Sequence, residues 1–210
     1  MSEQNLLLKR SFDITLSVLA LICVAPTLAA AMLLIVLETS GSPFFTQLRY
    51  GQGGKPFRIF KLRTMFVGSE SGSFKTVSED ERLTKVGSWL RRLNIDELPQ
   101  LVNVLIGDMS IIGPRPLSLE ETRFLIEQAH FSREYPGLMP SFKPGLVGLE
   151  QINRSRSLTY AERFEFNNQY ESQWTPMSDI KILWKAVVLC SPVCVAVAAG
   201  AVLLLSALAF

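Results

Sequence analysis

Two stretches without a charged side chain constrain this sequence more than anything else in it: Ile14 to Leu37, 24 residues, and Ala186 to Phe210, 25 residues. Either is long enough as a helix to cross a hydrocarbon core, which takes roughly 20 residues. All 40 charged residues fall in the other 161, about a quarter of that remainder and the usual share for a globular domain. The chain therefore reads as three parts: a membrane anchor over 1–38, a domain over 39–185 and a C-terminal hydrophobic segment over 186–210, for which a membrane span is the preferred reading. Disorder, collagen-like repeats and a polytopic bundle are excluded, because no third long apolar run exists. The net charge of +2 argues against nucleic acid as a partner.

The first run follows Lys9 and Arg10, exceeds the usual signal-peptide core and lacks a persuasive cleavage site before Glu38. A single-pass anchor would hold Lys9 and Arg10 in the cytoplasm and export the domain, with its Lys and Arg close to the membrane. Pro26 opens a second path. A proline inside a helix removes one hydrogen bond and crowds the preceding turn, so a bend at Ala25-Pro26 would let the run dip in and return to the same face. Proline is also tolerated in spanning helices, and the residues alone leave these two topologies level.

The domain reads as α+β and mostly helical. Residues 43–47 and 57–60 flank a Gly51-Gln52-Gly53-Gly54 turn and predict a small β-hairpin. Residues 67–80 read as a surface loop. From Glu81 to Leu93, Leu83, Val86, Trp89 or Leu90 and Leu93 recur at helical spacing beside Arg82, Lys85, Arg91 and Arg92; an interfacial amphipathic helix and a core-packed helix fit this equally. Asn94 or Asp96 then opens a second helix, with Pro99 in its first turn and Gly107 at its end. Residues 117–131 and 159–174 predict helices, joined by a Pro/Gly-broken connection over 135–153.

Cys23, Cys190 and Cys194 all lie in the apolar runs and read as small hydrophobes, and His130 is the only histidine. Any catalysis must therefore rest on carboxylates, Arg and Lys. Asp96-Glu97 stands out as an adjacent acid pair at a predicted helix start. Taken alone the pair reads as a capping device, although the same position favours an ionised acid that can serve as nucleophile or magnesium ligand. Lys61, Arg63 and Arg115, the last framed by Pro114 and Pro116, add cations suited to phosphate oxygens. No Gly-x-x-x-x-Gly-Lys phosphate loop is present.

Lys61-Leu62-Arg63-Thr64-Met65, Asp96-Glu97-Leu98-Pro99-Gln100-Leu101, Asn103-Val104-Leu105-Ile106-Gly107-Asp108-Met109-Ser110 and Gly113-Pro114-Arg115-Pro116 follow one another in the order found in the bacterial sugar transferases called monotopic phosphoglycosyl transferases. Lys9-Arg10-Ser11-Phe12-Asp13, Lys143-Pro144-Gly145-Leu146-Val147-Gly148 and Asp179-Ile180-Lys181 extend the resemblance from about Leu7 to Lys185. The sequence departs from the family pattern at Ala25, where Ser is frequent, at Leu149-Glu150, where Trp-Ala is usual, and at Arg154, which replaces Gly.

The resemblance implies transfer of a sugar 1-phosphate from a nucleotide diphosphate sugar, usually a UDP-sugar, to a polyprenyl phosphate such as undecaprenyl phosphate. That step starts assembly of a surface glycan such as an exopolysaccharide, O-antigen or capsule. Asp96 becomes the nucleophile of a covalent phosphosugar intermediate and a Mg2+ ligand; Glu97 positions or deprotonates the acceptor. Lys61, Arg63, Arg115 and Arg154 become phosphate or substrate contacts. The resemblance also implies a re-entrant N-terminal helix broken at Ala25-Pro26, contact with membrane lipids, and a catalytic domain on the cytoplasmic face of the bacterial inner membrane; a homodimer is compatible with it. Two rival readings stand beside this one: a lipid-phosphate hydrolase using Asp96, and a non-catalytic membrane scaffold in which the acid pair only caps a helix.

Overall fold

The first apolar run is a single helix, α1 (Glu3–Glu38), which passes through Ala25 and Pro26 as one element in the computed structural model of the chain. The structure describes residues 3–69, 80–127, 138–153 and 158–188. Leu16, Ala20, Leu21, Val24, Leu28, Ala31, Met32 and Ile35 recur every three or four positions and form one stripe along α1. The stripe changes partners across Pro26: residues up to Val24 pack on one core cluster, and residues from Leu28 onward pack on another. The opposite side of α1 leaves Leu7, Leu19, Ile22, Leu33 and Leu37 exposed.

Polar contacts hold both ends of α1 to the domain. Near its start, Lys9 Nζ donates to Asp179 Oδ2 at 2.6 Å and to the Ile112 carbonyl at 2.9 Å, while Arg10 reaches the Val104 and Leu105 carbonyls. Buried Asp13 accepts from the Ser110 hydroxyl and the Ile111 amide. At the other end, Glu38 accepts from the amides of Lys85 and Val86, which open the next helix.

The domain begins with the antiparallel hairpin β1 (Phe44–Tyr50) and β2 (Pro56–Leu62), joined through a 3-10 turn at Gln52–Gly54. Helix α2 (Lys85–Arg92) follows, its N-terminus capped by the Thr84 side chain. A 3-10 turn, Ile95–Glu97, leads to α3 (Gln100–Ile106), which stops at Gly107 in the left-handed conformation. Next come β3 (Ser110–Ile112), α4 (Leu119–Glu127), β4 (Gly145–Val147), the short α5 (Leu149–Ile152) and α6 (Tyr160–Gln173), which starts with a Thr159–Glu162 capping box. Residues 176–188 form α7. The class is α+β and mostly helical, as the sequence predicts.

The main core gathers Phe57 and Ile59 of β2, Leu101 and Val104 of α3, Ile111 and Ile112 of β3, Tyr170 of α6 and Ile182 of α7. A second cluster joins Leu62, Leu90 and Ile95 to Ala31 and Ile35 of α1. On α2 it is Leu90 that is buried, whereas Trp89 is half exposed; Ile106, Met177, Ile180 and Trp184 are exposed as well. The helix is therefore core-packed through Leu90 and amphipathic, with Trp89 on its exposed face.

Three features differ from the sequence reading. The helix expected to open at Asn94 or Asp96 starts at Gln100, and the acid pair lies on its own 3-10 turn after Asn94, whose φ is 55°. Asn tolerates that left-handed conformation, so the chain can turn sharply between α2 and the acid pair. The connection over 135–153 contains a strand, β4, paired in parallel with β3 through Ser110↔Gly145 and Ile112↔Val147. Gly113 and Gly145 make the crossing feasible, because a Cβ on either would overlap the other's backbone. Lastly, α1 continues through Pro26 as one helix. Residues 189–210, which hold most of the second apolar run, and the predicted helix beyond Glu127 lie outside the described residues.

Candidate active site

Asn103 begins the site from below. Fully buried on α3, it accepts from the Phe60 amide through Oδ1 at 3.0 Å and donates to the Arg58 carbonyl through Nδ2 at 2.8 Å. An amide with both ends satisfied by one strand fixes that strand's position. It holds β2 against α3, and Lys61 follows at the strand's end.

Lys61 Nζ donates to Glu97 Oε1 at 2.7 Å, and Arg115 Nη2 donates to the same oxygen at 3.1 Å. The Lys61 and Glu97 side chains are each 16% exposed. Burial opposes the charge on Glu97, but Arg115 and Lys61, with their hydrogen bonds, outweigh it and hold the carboxyl well below the usual range. Burial pushes the Lys61 ammonium down, and Glu97 partly restores it.

Asp96 has the opposite surroundings. It is 7% exposed, and among the described residues no other side chain hydrogen-bonds to its carboxylate. Burial raises its pKa, Lys61 opposes that shift, and the adjacent negative charge of Glu97 adds to it. Asp96 caps neither α3 nor the 3-10 turn, so the capping reading does not describe it.

The sequence-predicted cations separate. Lys61 and Arg115 meet at Glu97, but Arg63 does not join them: its guanidinium donates to the carbonyls of Thr39 at 2.9 Å and Ser40 at 2.7 Å, clasping the chain as it leaves α1. The physical reason is strand register. Residues two apart share a face in a strand, which groups Lys61 with Arg63, but β2 ends at Leu62 and Arg63 leaves the pleat. Arg154 lies outside the described residues, and Ala25 and Pro26 lie within α1.

The structure also brings in residues that sequence reasoning missed. Arg91 acts on Asp96 from α2 and is steadied by Thr64, whose hydroxyl accepts from its Nε at 2.8 Å. Arg49 lines a small, open cleft together with Lys61, Glu97, Gln100 and Arg115. A signal existed: on β1 the polar Gln47 and Arg49 are partly buried while Phe44 and Leu48 are exposed, an inverted alternation. Polar side chains on the inward face of a strand mark a place where a ligand or a buried partner is needed. Buried Glu150, one of the departures from the family pattern, acts electrostatically on Arg115.

Among the described residues no three Asp, Glu, His or Cys side chains gather as a cage for a metal ion. Mg2+ does not need one, since it is commonly held by one or two carboxylates together with substrate phosphates and water. Asp96, whose carboxylate no other described side chain hydrogen-bonds, fits that role; Glu97, engaged by two cations, fits it less well.

A buried acid that no other described side chain hydrogen-bonds, set beside cations in a domain seated on a long apolar helix, suits an enzyme that handles phosphate esters at a membrane. A family model described as bacterial sugar transferase matches residues 4–191. The chain belongs to that family and is a phosphoglycosyl transferase. It is 40% identical over 196 residues to the UDP-glucose:undecaprenyl-phosphate glucose-1-phosphate transferase of Escherichia coli, covering 89% of this chain and 41% of that protein. It is 35% identical over 195 residues to the exopolysaccharide production protein ExoY of Sinorhizobium fredii, covering 85% of this chain and 83% of that one. A putative undecaprenyl-phosphate N-acetylgalactosaminyl 1-phosphate transferase of Bacillus subtilis is 43% identical over 142 residues, 67% of this chain and 74% of its own length.

Proposed function

We propose that this chain transfers a sugar 1-phosphate from a UDP-sugar to undecaprenyl phosphate through a covalent intermediate on Asp96, the first membrane step of an exopolysaccharide or related surface glycan. The carrying observation is the asymmetry of the acid pair. Glu97 is neutralised by two cations, whereas the adjacent Asp96 is buried, ionisable and left free to attack. The names of the relatives support the substrates.

In the first half-reaction an Asp96 oxygen attacks the sugar-linked phosphorus, the bond to the bridging oxygen breaks, and UMP leaves with that oxygen. Arg115 and Lys61 stand where charge develops on the phosphoryl oxygens. In the second, a phosphate oxygen of the acceptor attacks the same phosphorus, and the bond to Asp96 breaks, which releases the polyprenyl diphosphate-sugar and restores the carboxylate. Glu97 orients Lys61 and Arg115 and, with them, the entering phosphate. Mg2+ on Asp96 would supply further neutralisation of the diphosphate.

The docking of α1 supports a re-entrant topology. Both of its ends contact one domain, and a helix crossing roughly 30 Å of hydrocarbon would separate those ends by the bilayer. In this reading the domain and Lys9 share one face of the membrane, the cytoplasmic face of the inner membrane.

The reaction is tested by incubating the purified full chain with UDP-sugar labelled in the sugar-linked phosphate, without acceptor. Label retained on denatured protein and mapped to Asp96, released as lipid diphosphate-sugar when undecaprenyl phosphate is added, with UMP formed in the first stage, is the expected result. Inorganic phosphate as product, or transfer only when both substrates are present together, overturns it.

A further inference from the structure

The four residues that meet at the acid pair carry no net charge between them. Asp96 and Glu97 balance Lys61 and Arg115, both cations are already engaged by one oxygen of Glu97, and Arg91, acting on Asp96 from α2, adds a single positive charge. A nucleotide diphosphate sugar brings two negative charges to this place. Arg63 does not reach them, because its guanidinium clasps carbonyls at the end of α1 and does not line the cleft with Lys61 and Arg115.

Arg49 is differently placed. Hairpin register pairs Arg49 with Phe57 and Phe45 with Lys61, so Arg49 and Lys61 stand on the same face of the hairpin, and both line the cavity with Glu97 and Arg115. Its Nη1 donates to the Pro116 carbonyl at 3.0 Å and its Nη2 to Gln47 Oε1 at 2.8 Å, which fixes the guanidinium plane against the Pro114-Arg115-Pro116 frame. Its Nε is buried without a hydrogen-bond partner. The acid beside it, Glu121, stays 3.9 Å away, too far for a hydrogen bond, and Glu121 Oε1 accepts from the Tyr160 hydroxyl. Burial and the like charge of Arg115 work against this cation, and Glu121, Glu97 and Glu120 offset them only in part.

We propose that Arg49 is a further cation of the donor site and binds the diphosphate of the nucleotide sugar together with Lys61 and Arg115. The assignment rests on the transferase reading. A largely buried guanidinium whose Nε is unpaired and whose acidic neighbour Glu121 stays 3.9 Å away is a preorganised anion contact, because the orienting bonds to Pro116 and Gln47 are in place before the ligand arrives. Gln47 acts through Arg49 and is a positioning residue.

The test uses the full chain in nanodiscs and two readouts: calorimetric affinity for inorganic pyrophosphate and for UDP, and steady-state kinetics with UDP-sugar and undecaprenyl phosphate. Arg49→Gln is expected to weaken pyrophosphate binding and raise the donor KM by about tenfold or more, with kcat and acceptor KM changed by less than about threefold; Arg49→Lys lies between. Arg123→Gln, the same charge change on an exposed position of α4, should leave both readouts unaltered. Pyrophosphate affinity of Arg49→Gln within twofold of the parent, an equal loss in Arg123→Gln, or a lowered Tm with unchanged affinity overturns the proposal. Loss of pyrophosphate binding in Arg49→Gln, in a parent that binds it yet transfers no sugar phosphate, supports the anion contact and overturns the transferase reading alone.

Discussion

Adjacent in sequence, Asp96 and Glu97 meet opposite fates, and the difference predicts their pH behaviour. Asp96 has a folded pKa raised above the ordinary 3.8, so burial of its charge destabilises the fold at neutral pH, and that penalty disappears as pH falls below the ordinary value. The proposed attack by Asp96 requires its ionised form, which predicts an acid limb of the donor half-reaction above pH 3.8. Asp96→Asn is expected to abolish transfer by about 10³-fold or more. The same variant should raise Tm by about 2–4 °C, a gain that a scanning experiment on the ligand-free protein checks. Glu97 behaves in reverse: its folded pKa is depressed, so its stabilisation is complete above the ordinary Glu value and is lost only as pH falls through the folded one. Glu97→Gln should cost about 1–3 kcal/mol at pH 7, because it leaves Lys61 and Arg115 facing each other, and denaturant titration should show a lowered midpoint without a changed slope.

At the level of elements, the site depends on how closely backbone segments approach. Gly87 on α2 packs directly on the Thr64 carbonyl, where a Cβ would overlap it, while Arg91 one turn later bonds the Thr64 hydroxyl. Gly87→Ala should push α2 off the end of β2 and cost about 1–3 kcal/mol or more. The measurement is Tm together with donor KM, both of which worsen if α2 positions Arg91 beside Asp96; an unchanged Tm would falsify the packing argument. The same elements show what could be read from the chain alone. The hairpin, α2 and α6 announce themselves through alternation, helical spacing and caps, and Lys61, Arg115 and the acid pair through residue type. Strands β3 and β4 are three residues each, too short for alternation to register, and their pairing joins positions more than thirty residues apart. The 3-10 turn escaped because Pro99 and two acids look like a helix start. Arg49 escaped because a charged residue on a strand is ordinarily solvent-facing, and only the exposed Phe44 and Leu48 beside it reverse that expectation.

For the whole molecule, the docking of both ends of α1 predicts an accessibility pattern. In a background with Cys23, Cys190 and Cys194 replaced by Ser, cysteines at Glu3 and Glu81 should both resist an impermeant thiol reagent added to intact cells and both react after lysis. Labelling of the Glu81 position alone in intact cells would mean that α1 crosses the membrane. The anchor also cannot be separated from the catalytic fold. Ala31 and Ile35 are buried against Leu62, Leu90 and Ile95, and Asp13 and Lys9 satisfy polar groups of β3 and α7. A chain truncated to begin at Thr39 loses one wall of its interior as well as its hold on the membrane, so it should be recovered as aggregate even though most of its charged residues remain. Making this enzyme water-soluble therefore calls for repainting the lipid-facing side of α1 at Leu7, Leu19, Ile22, Leu33 and Leu37 with polar residues, and for leaving its inner stripe untouched.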